Sequence, residues 1–479
     1  MGKYKYLANN IALFSISNLV SKILVFLLVP FYTSVLTTAE YGVADIFQVT
    51  LLLLVPALTV NMGEAALRYG IEKENKRKGI LRVGLKYTFL GAALVALAAY
   101  ASAFFVSDRI RWYLFLFVLL FLSNALYEFL ILYFQGCELV KIVVAGSVFS
   151  TVCMISCNLY FLLVLKIGLN GYLFSQMIAY FASVCLMLLL SRKYIGKGLP
   201  KDEELEKEML SYGKPLLLYS TGSWINNAAD RYIVAGICGT AVNGIYGVAY
   251  KIPAILMVFQ RIFAQAWQMS ATKSYQDKNS SEFFSMMYRT YHMFMVLGCS
   301  VLILFVRAIA WILFKKDFYE AWQFVPPLLI SVIFGALTGF LGSICLAHKD
   351  SRSMGYATGI GALINLLLNF LTVPKYGALG AAASTAVSYF SMYFMAFKIV
   401  KKYVKIETRP VRNYVSYILL IVQAVTMINS IGPFYVINGL IFLLLFLLYA
   451  KEAADVFGKM KGSLRKGMTG HGKTNDLQS

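Results

Sequence analysis

Apolar runs of about twenty residues, the length that crosses a bilayer as a helix, recur along the whole chain and are divided by short polar or charged stretches. Fourteen such runs are read, at 11–36, 43–67, 83–106, 112–135, 142–165, 169–191, 215–238, 242–269, 290–314, 320–346, 354–373, 377–397, 413–431 and 433–450. The pattern predicts an all-α polytopic membrane protein of about 14 transmembrane helices. The first run follows Lys3 and Lys5. It is longer than a signal-peptide core and no A-x-A site follows, so it is expected to stay as the first membrane helix. The longest connection short of the tail surrounds Lys201-Asp202-Glu203-Glu204-Leu205-Glu206-Lys207-Glu208, between spans six and seven. Its mixed charges read as a solvated, partly helical linker between two halves.

The halves resemble each other. At an offset of 209, Gly146, Ile155, Leu159, Phe161, Leu162 and Val164 meet Gly355, Ile364, Leu368, Phe370, Leu371 and Val373. Lys166, Gly168, Gly171, Ser175, Tyr180 and Phe181 then meet Lys375, Gly377, Gly380, Ser384, Tyr389 and Phe390. That makes twelve identities in 36 positions, where apolar composition alone gives roughly three. Earlier in each half, Tyr41-Gly42-Val43-Ala44 matches Tyr246-Gly247-Val248-Ala249. Six helices precede the boundary, so both copies enter the membrane in the same direction, as in the parallel repeats of some secondary transporters. The expected plan is two parallel six-helix repeats forming two lobes around a central cavity, plus two C-terminal helices. Its divisions are an N-lobe at 1–200, a C-lobe at 201–402, helices 13 and 14 at 403–450, and a basic tail at 451–479.

Composition narrows the class. Of 479 residues, 59% are hydrophobic and 14% charged, against about 25% charged in a soluble domain. That excludes a soluble enzyme, a secreted domain and a nucleic-acid binder. The formal charge of +21 is distributed by topology, with 33 Lys and Arg on the side of both termini and six opposite. Short basic loops face the cytoplasm, so both termini are expected there. The seven cysteines lie in or beside apolar runs, without pairing or metal spacing, and read as small packing residues. His292, His348 and His471 are far apart in sequence. No metal cluster, phosphate loop, nucleophile elbow or metal–nucleotide site is visible, so no catalytic site and no cofactor are expected.

Ionisable groups inside membrane helices are functional candidates by default. Ser15, Asn18 and Lys22 share one face of span one, and Ser220, Ser223, Asn227 and Arg231 the matching face of span seven. Both stripes read as facing the cavity, with interhelical hydrogen bonding as the bland alternative. Lys22 is the leading candidate. Arg261, with Gln265 and Gln268 at i+4 and i+7, is the second, and Lys251 the third. Arg231 adjoins Asp230 near the outer end, where pairing or snorkelling competes with a cavity role. Arg307 reads as snorkelling and Asp45 as solvated. Glu64 and Arg68, at i and i+4, read as an ion pair, and Glu64 and Glu128 are the candidates for ion coupling. Pro30, Pro56 and Pro253 are expected to kink their spans. In-span cations favour an anionic ligand, and a basic cytoplasmic face concentrates anionic lipids and phosphates.

The stretch Asn18 to Pro30, followed by Leu36-Thr37-Thr38-Ala39-Glu40-Tyr41-Gly42, resembles the first-helix region of polysaccharide-unit flippases. Asn369 through Pro374-Lys375-Tyr376-Gly377-Ala378-Leu379-Gly380-Ala381-Ala382 is similar to their late G-x-x-G-A region. The fourteen-helix, 6+6+2 plan matches as well. The family is the polysaccharide transporter (Wzx-type) branch of the multidrug/oligosaccharidyl-lipid/polysaccharide (MOP) exporter superfamily. The resemblance implies flipping of a polyprenyl-diphosphate-linked oligosaccharide from the inner to the outer leaflet of a bacterial plasma membrane by alternating access. Lys22 and Arg261 are where it places recognition of the diphosphate. It also implies a polymerase and glycosyltransferases of the same pathway as partners, and coupling to an ion gradient or membrane potential. A lipid II flippase shares the helix plan. The multidrug/cation antiporter branch normally has twelve helices and acidic cavity sites.

Overall fold

The computed structural model describes residues 26–195, 198, 200–274, 280–348, 350–452 and 454. The helices are α1 (Val29–Val35), α2 (Thr38–Leu58), α3 (Met62–Glu72), α4 (Arg77–Ala103), α5 (Asp108–Gly136), α6 (Val140–Leu159), α7 (Gly168–Ile195) and α8 (Glu203–Cys238). They continue as α9 (Thr240–Ala249), α10 (Pro253–Ser274), α11 (Ser280–Leu304), α12 (Val306–Leu313), α13 (Val325–Ala347), α14 (Ser351–Val400), α15 (Pro410–Asn429) and α16 (Phe434–Leu448). Among the described residues, nine helical stretches are long and apolar enough to cross a membrane, or ten if the pair α9 and α10, bent by 47°, is one span. α8 falls outside that set because polar groups run through it beyond its acidic first turn, with Ser220, Ser223, Asn226, Asn227, Asp230 and Arg231 in its second half, and α16 because it has only 15 residues. α14 is one unbroken element of 50 residues only by hydrogen bonding, since Gly377 breaks it at φ 58°, ψ −144°. Most of the first apolar run lies outside the described residues.

Prolines and left-handed residues set the breaks. The second apolar run was expected to continue to residue 67, but α2 ends at Leu58, just past Pro56. Val60 and Asn61 turn left-handed (φ 53° and 50°), which ends a helix for any non-glycine residue, and α3 starts afresh. Pro253 opens α10 after the bend, and Pro30 lies in the first turn of α1. Gly168 and Gly377, paired by the sequence repeat, both take positive φ, 53° and 58°. The shared Lys-x-Gly motif therefore ends a helix in each half.

Two compact units result, one reaching Val248 and including Leu313–Phe318, the other made of Ala249–Ile312 and the chain from Tyr319 onward. The first unit thus runs past the expected 200/201 division, because α8 packs against α2, α3 and α4. Its core joins Met62, Ile80, Phe129, Phe134, Leu205 and Met209. The segment expected to be a solvated linker is bound to this unit. The Leu205 amide donates to Asp202 Oδ1 at 2.9 Å, Lys76 reaches Asp202 Oδ2 at 2.9 Å and Lys86 reaches Glu206 Oε1 at 2.6 Å. Lys73 pairs with Glu208. The Leu205 amide and the Lys76 ammonium hold the Asp202 carboxyl below its usual range. A depressed carboxylate contributes its stabilisation above its unfolded pKa of about 4 and loses it as pH falls through the folded value. Hydrogen-exchange protection of the Leu205 amide is therefore expected at neutral pH, to fade on acidification, and to be weak at all pH in Asp202→Ala. Equal protection at acid pH in the parent protein would rule this out.

α2 and α9 cross at backbone contact. A Cβ on Gly42 would stand 1.8 Å from the Thr240 carbonyl oxygen, and one on Gly244 1.9 Å from that of Thr38. Gly244→Ala is expected to force the helices apart and lower stability by about 1–3 kcal/mol, measured by thermal unfolding in detergent. Gly236→Ala, which meets nothing within 4 Å, is the control that should unfold as the parent does.

In the second unit Trp267 stacks on Phe340 at 4.1 Å and donates Nε1–H to its carbonyl at 3.0 Å. α15 and α16 are fastened to α11 by polar groups, as membrane interiors allow. His292 is fully buried, sharing hydrogen bonds with the Tyr417 hydroxyl through Nε2 (2.8 Å) and the Tyr449 hydroxyl through Nδ1 (2.9 Å). Ser300 donates to Gln423 Oε1 at 2.8 Å, and Gln423 Nε2 donates back to the Ser300 carbonyl at 3.1 Å. Arg307 does not snorkel. Its guanidinium lies between the rings of Trp322 (4.0 Å) and Phe434 (4.4 Å), and Nη2 donates to the Met427 carbonyl at 2.8 Å at the end of α15.

Candidate functional site

The densest buried charge in the first unit lies where α2, α8 and α9 meet. Asp45 stands on the second turn of α2, which begins with a Thr37/Glu40 capping box. Arg231 comes from α8, and its Nη1 pairs with Asp45 Oδ1 at 2.7 Å, with 15% and 10% of the two side chains exposed. Asn243 of α9 donates Nδ2–H to the Gly42 carbonyl at 3.1 Å and to Asp45 Oδ2 at 3.5 Å. Tyr246 donates its hydroxyl to Asp230 Oδ2 at 2.6 Å, and Asp230 Oδ1 accepts the Arg231 amide at 2.9 Å. Gly247 leaves the room the carboxylate occupies, for a Cβ there would lie 2.8 Å from Asp45 Cγ. Further along, Trp224 donates Nε1–H to the Val49 carbonyl at 2.6 Å and the Tyr232 and Thr50 hydroxyls share a hydrogen bond. α8 is thereby strapped along α2.

This corrects one reading and reassigns another residue. Asp45, expected to be solvated, is buried and paired. The Arg231 guanidinium pairs with the Asp45 carboxylate, so its charge is balanced within the protein. Buried charges that are paired and hydrogen-bonded persist because each compensates the other's desolvation. The pair is a fastening between α2 and α8.

Asn18 and Lys22 lie outside the described residues. Asn227 is exposed on α8, one turn before Arg231, with its Nδ2 donating to the Ser223 carbonyl at 2.7 Å. In the second unit Lys251 sits in the bend between α9 and α10, half-buried, and Arg261 is exposed midway along α10. Glu128 is exposed midway along α5 beside Asn124, its hydrogen-bond partner. Glu64 is exposed on α3. It does not take Arg68, whose Nε pairs instead with Glu72 Oε1 at 2.9 Å while the guanidinium lies 4.7 Å from the Tyr212 ring. The structure therefore gathers Arg231 with Asp45, Asp230, Asn243 and Tyr246, four residues that the search for in-span cations did not select. The signal was present in the repeated Tyr-Gly-Val-Ala motif, whose copies lie in α2 and α9 beside that pair. Among the described residues no group of three His, Cys, Asp or Glu could hold a metal ion.

A family model described as "Polysaccharide biosynthesis protein" matches residues 7–268. The chain belongs to that family. The match spans residues 18–42 and bears out the family resemblance they carry. Among curated relatives, the "Capsular polysaccharide biosynthesis protein CapF" of Staphylococcus aureus is 26% identical over 188 residues, 38% of this chain and 47% of that protein. The "Probable low-salt glycan biosynthesis flippase Agl15" of Haloferax volcanii is 25% identical over 189 residues, 38% of this chain and 39% of that one. The chain thus spans less than half the length of either relative. Among solved structures, "Lipid II flippase MurJ, inward closed conformation" superposes with a TM-score of 0.69 at 15% identity, covering 93% of this chain and 99% of that one. An inward-facing "multidrug resistance MATE family transporter of the MOP superfamily" gives 0.67 at 10% identity, covering 80% and 94%. The fold is that of MOP transporters.

Proposed function

We propose that this protein is a flippase moving a polyprenyl-diphosphate-linked oligosaccharide, a capsule, O-antigen or exopolysaccharide repeat unit, from the inner to the outer leaflet by alternating access. The observation that carries the reading is the family match over residues 7–268 in a chain built almost wholly of apolar helices. A polysaccharide pathway needs its lipid-linked intermediate moved across a bilayer, and a chain of this make-up suits that step. The proposed architecture has fourteen spans in two parallel six-helix repeats, 1–200 and 201–402, followed by helices 13 and 14. Both termini face the cytoplasm of a bacterial plasma membrane. Lys22, Lys251 and Arg261 serve the diphosphate, and Asn18 and Asn227 the sugar. Arg261 on α10 and Asn227 on α8, both exposed, suit a water-filled cavity, because a charge inside the membrane is costly against lipid. Arg231 with Asp45 acts as a latch between spans two and seven. Glu128 and Glu64 are the proposed carboxylates for coupling transport to an ion gradient, and the pathway's polymerase and glycosyltransferases are the proposed partners.

The fold likeness to a lipid II flippase keeps peptidoglycan precursor as the second reading. Depleting the protein in its host and analysing lipid-linked saccharides by leaflet separates the two. Accumulation of a cytoplasm-facing polyprenyl-diphosphate oligosaccharide, with surface polysaccharide lost and growth intact, supports the first. Accumulated lipid II followed by lysis supports the second, and no change in either pool overturns both.

A further inference from the structure

The chain belongs to the second unit up to Ile312, joins the first over Leu313–Phe318 and returns to the second at Tyr319. This hexapeptide is the turn between the end of α12 and a 3₁₀ stretch at Lys316–Phe324. Its apolar residues Leu313, Phe314 and Phe318 are buried, while Lys315, Lys316 and Asp317 are exposed. The Phe318 ring meets that of Tyr41 edge-on at 5.6 Å, one turn before Asp45 on α2. The fully buried Thr33 of α1 accepts the Lys315 amide at 3.1 Å and faces the Leu313 carbonyl at 3.2 Å. Each polar contact has an alternative once it breaks. The Thr33 hydroxyl carries one proton and also has the Val29 carbonyl, one turn back on its own helix, at 3.0 Å. If the Leu313 carbonyl leaves, that proton turns to Val29, the local bond a helical threonine makes. Leu313 ends α12, and the last carbonyls of a helix can be satisfied by water. Lys316 is held left-handed at φ 53°, a strain that only surrounding contacts sustain and that release relieves. The turn's sequence does not by itself demand burial. At the repeat offset of 209, Phe105 corresponds to Phe314 and Asp108 to Asp317, yet Phe105 is 90% exposed.

We propose that Leu313–Phe318 is a gate strap: docked on α1 and α2 it holds the outer side closed, and it must lift for cargo to leave toward the outer leaflet. This rests on the alternating-access reading and its orientation, which put the turn between spans nine and ten outside. A movement of the second unit is passed to α1 and α2 through both ends of the hexapeptide, at Ile312 and Tyr319. Thr33 is the positioning residue of the docked state. Its hydroxyl serves the strap when docked and its own helix when lifted, so neither state leaves a buried donor unpaired. Tyr41 seats the aromatic end of the strap one turn from the Asp45–Arg231 pair.

Docking is read without cargo, by hydrogen exchange of the full-length protein in nanodiscs. Thr33→Val keeps the shape and loses the hydroxyl, and should speed exchange over residues 313–318 at least tenfold. Thr33→Ser should keep the parental rate. Unchanged exchange in Thr33→Val overturns the docking role. Gating is read by locking the strap in exporting cells. Tyr41→Cys with Phe318→Cys, bridged from outside by a short bifunctional thiosulfonate, should cut export per molecule at least tenfold, and reducing the bridge should restore it. Phe318→Cys alone, given the same reagent, should export as it does untreated, which separates the bridge from the modification. A strap that served folding alone would leave the bridged protein exporting like the reduced one, and that result overturns the gate. Because the exchange measurement needs no cargo, failure of the strap and failure of the flippase reading are told apart.

Discussion

On the proposed function, Arg261→Ala is expected to abolish export of the lipid-linked glycan while the amount of protein in the membrane stays at the parental level. Arg261 is exposed midway along α10, so its removal empties no packed core and the fold should not suffer. On the proposed function the guanidinium faces a water-filled cavity, where a charge inside the membrane is tolerated, and meets the anionic ligand there. A charge-assisted hydrogen bond contributes about 1.5–3 kcal/mol, so losing one or two weakens capture by roughly ten- to twenty-thousand-fold. Arg261→Lys keeps the charge without the fork and should retain partial export. Lys22→Ala is expected to match Arg261→Ala. The measurement is surface polysaccharide in a deletion host carrying each variant, with immunoblots of the membrane fraction. Full export by both alanine variants would remove the anion site from these positions.

Much of the fold can be read along the chain because the bilayer makes it a one-dimensional problem. Each crossing needs a long apolar run, and the runs at 83–106, 112–135 and 169–191 coincide with α4, α5 and α7. Helix ends were legible where local chemistry dictates them, as with Pro253 before α10 and the Lys-x-Gly motif that turns left-handed at Gly168 and Gly377. The second span was overextended because apolar composition continues smoothly past Pro56, whereas Val60 and Asn61 leave the helical region. Side-chain partners were least legible. Arg68 has a glutamate four residues before it and another four after, so spacing cannot choose between them. The structure pairs it with Glu72, and the Tyr212 ring from a distant part of the sequence lies against the same guanidinium. Arg307 looked like a snorkelling cation until Trp322 and Phe434 were brought to its two faces. Asp45 and Arg231 lie 186 residues apart, and only the crossing of α2 with α8 and α9 joins them.

That pair gives the second large effect. Asp45→Asn leaves the Arg231 guanidinium buried without its ion-pair partner, and Arg231→Gln does the same to the carboxylate. Breaking one half of a buried pair costs about 3–5 kcal/mol, over a hundredfold in an equilibrium constant. If alternating access separates span two from span seven, that energy is withdrawn from the state in which they touch and the protein moves toward the separated one. Both single variants should therefore lose export, and a cysteine placed one turn from Asp45 by Val49→Cys, at a buried position whose carbonyl accepts from Trp224 of α8, should react faster with a membrane-impermeant maleimide than in the parent. The double variant Asp45→Arg with Arg231→Asp restores opposite charges, although Asp230 and Asn243 remain arranged for the original polarity. It should recover slow labelling and part of the export. A pair that served folding alone would behave differently: the single variants would fall in abundance, the surviving protein would label at the parental rate, and export per molecule would be unchanged. Labelling rate and export per molecule thus tell a latch from a staple, and the latch requires both to move together.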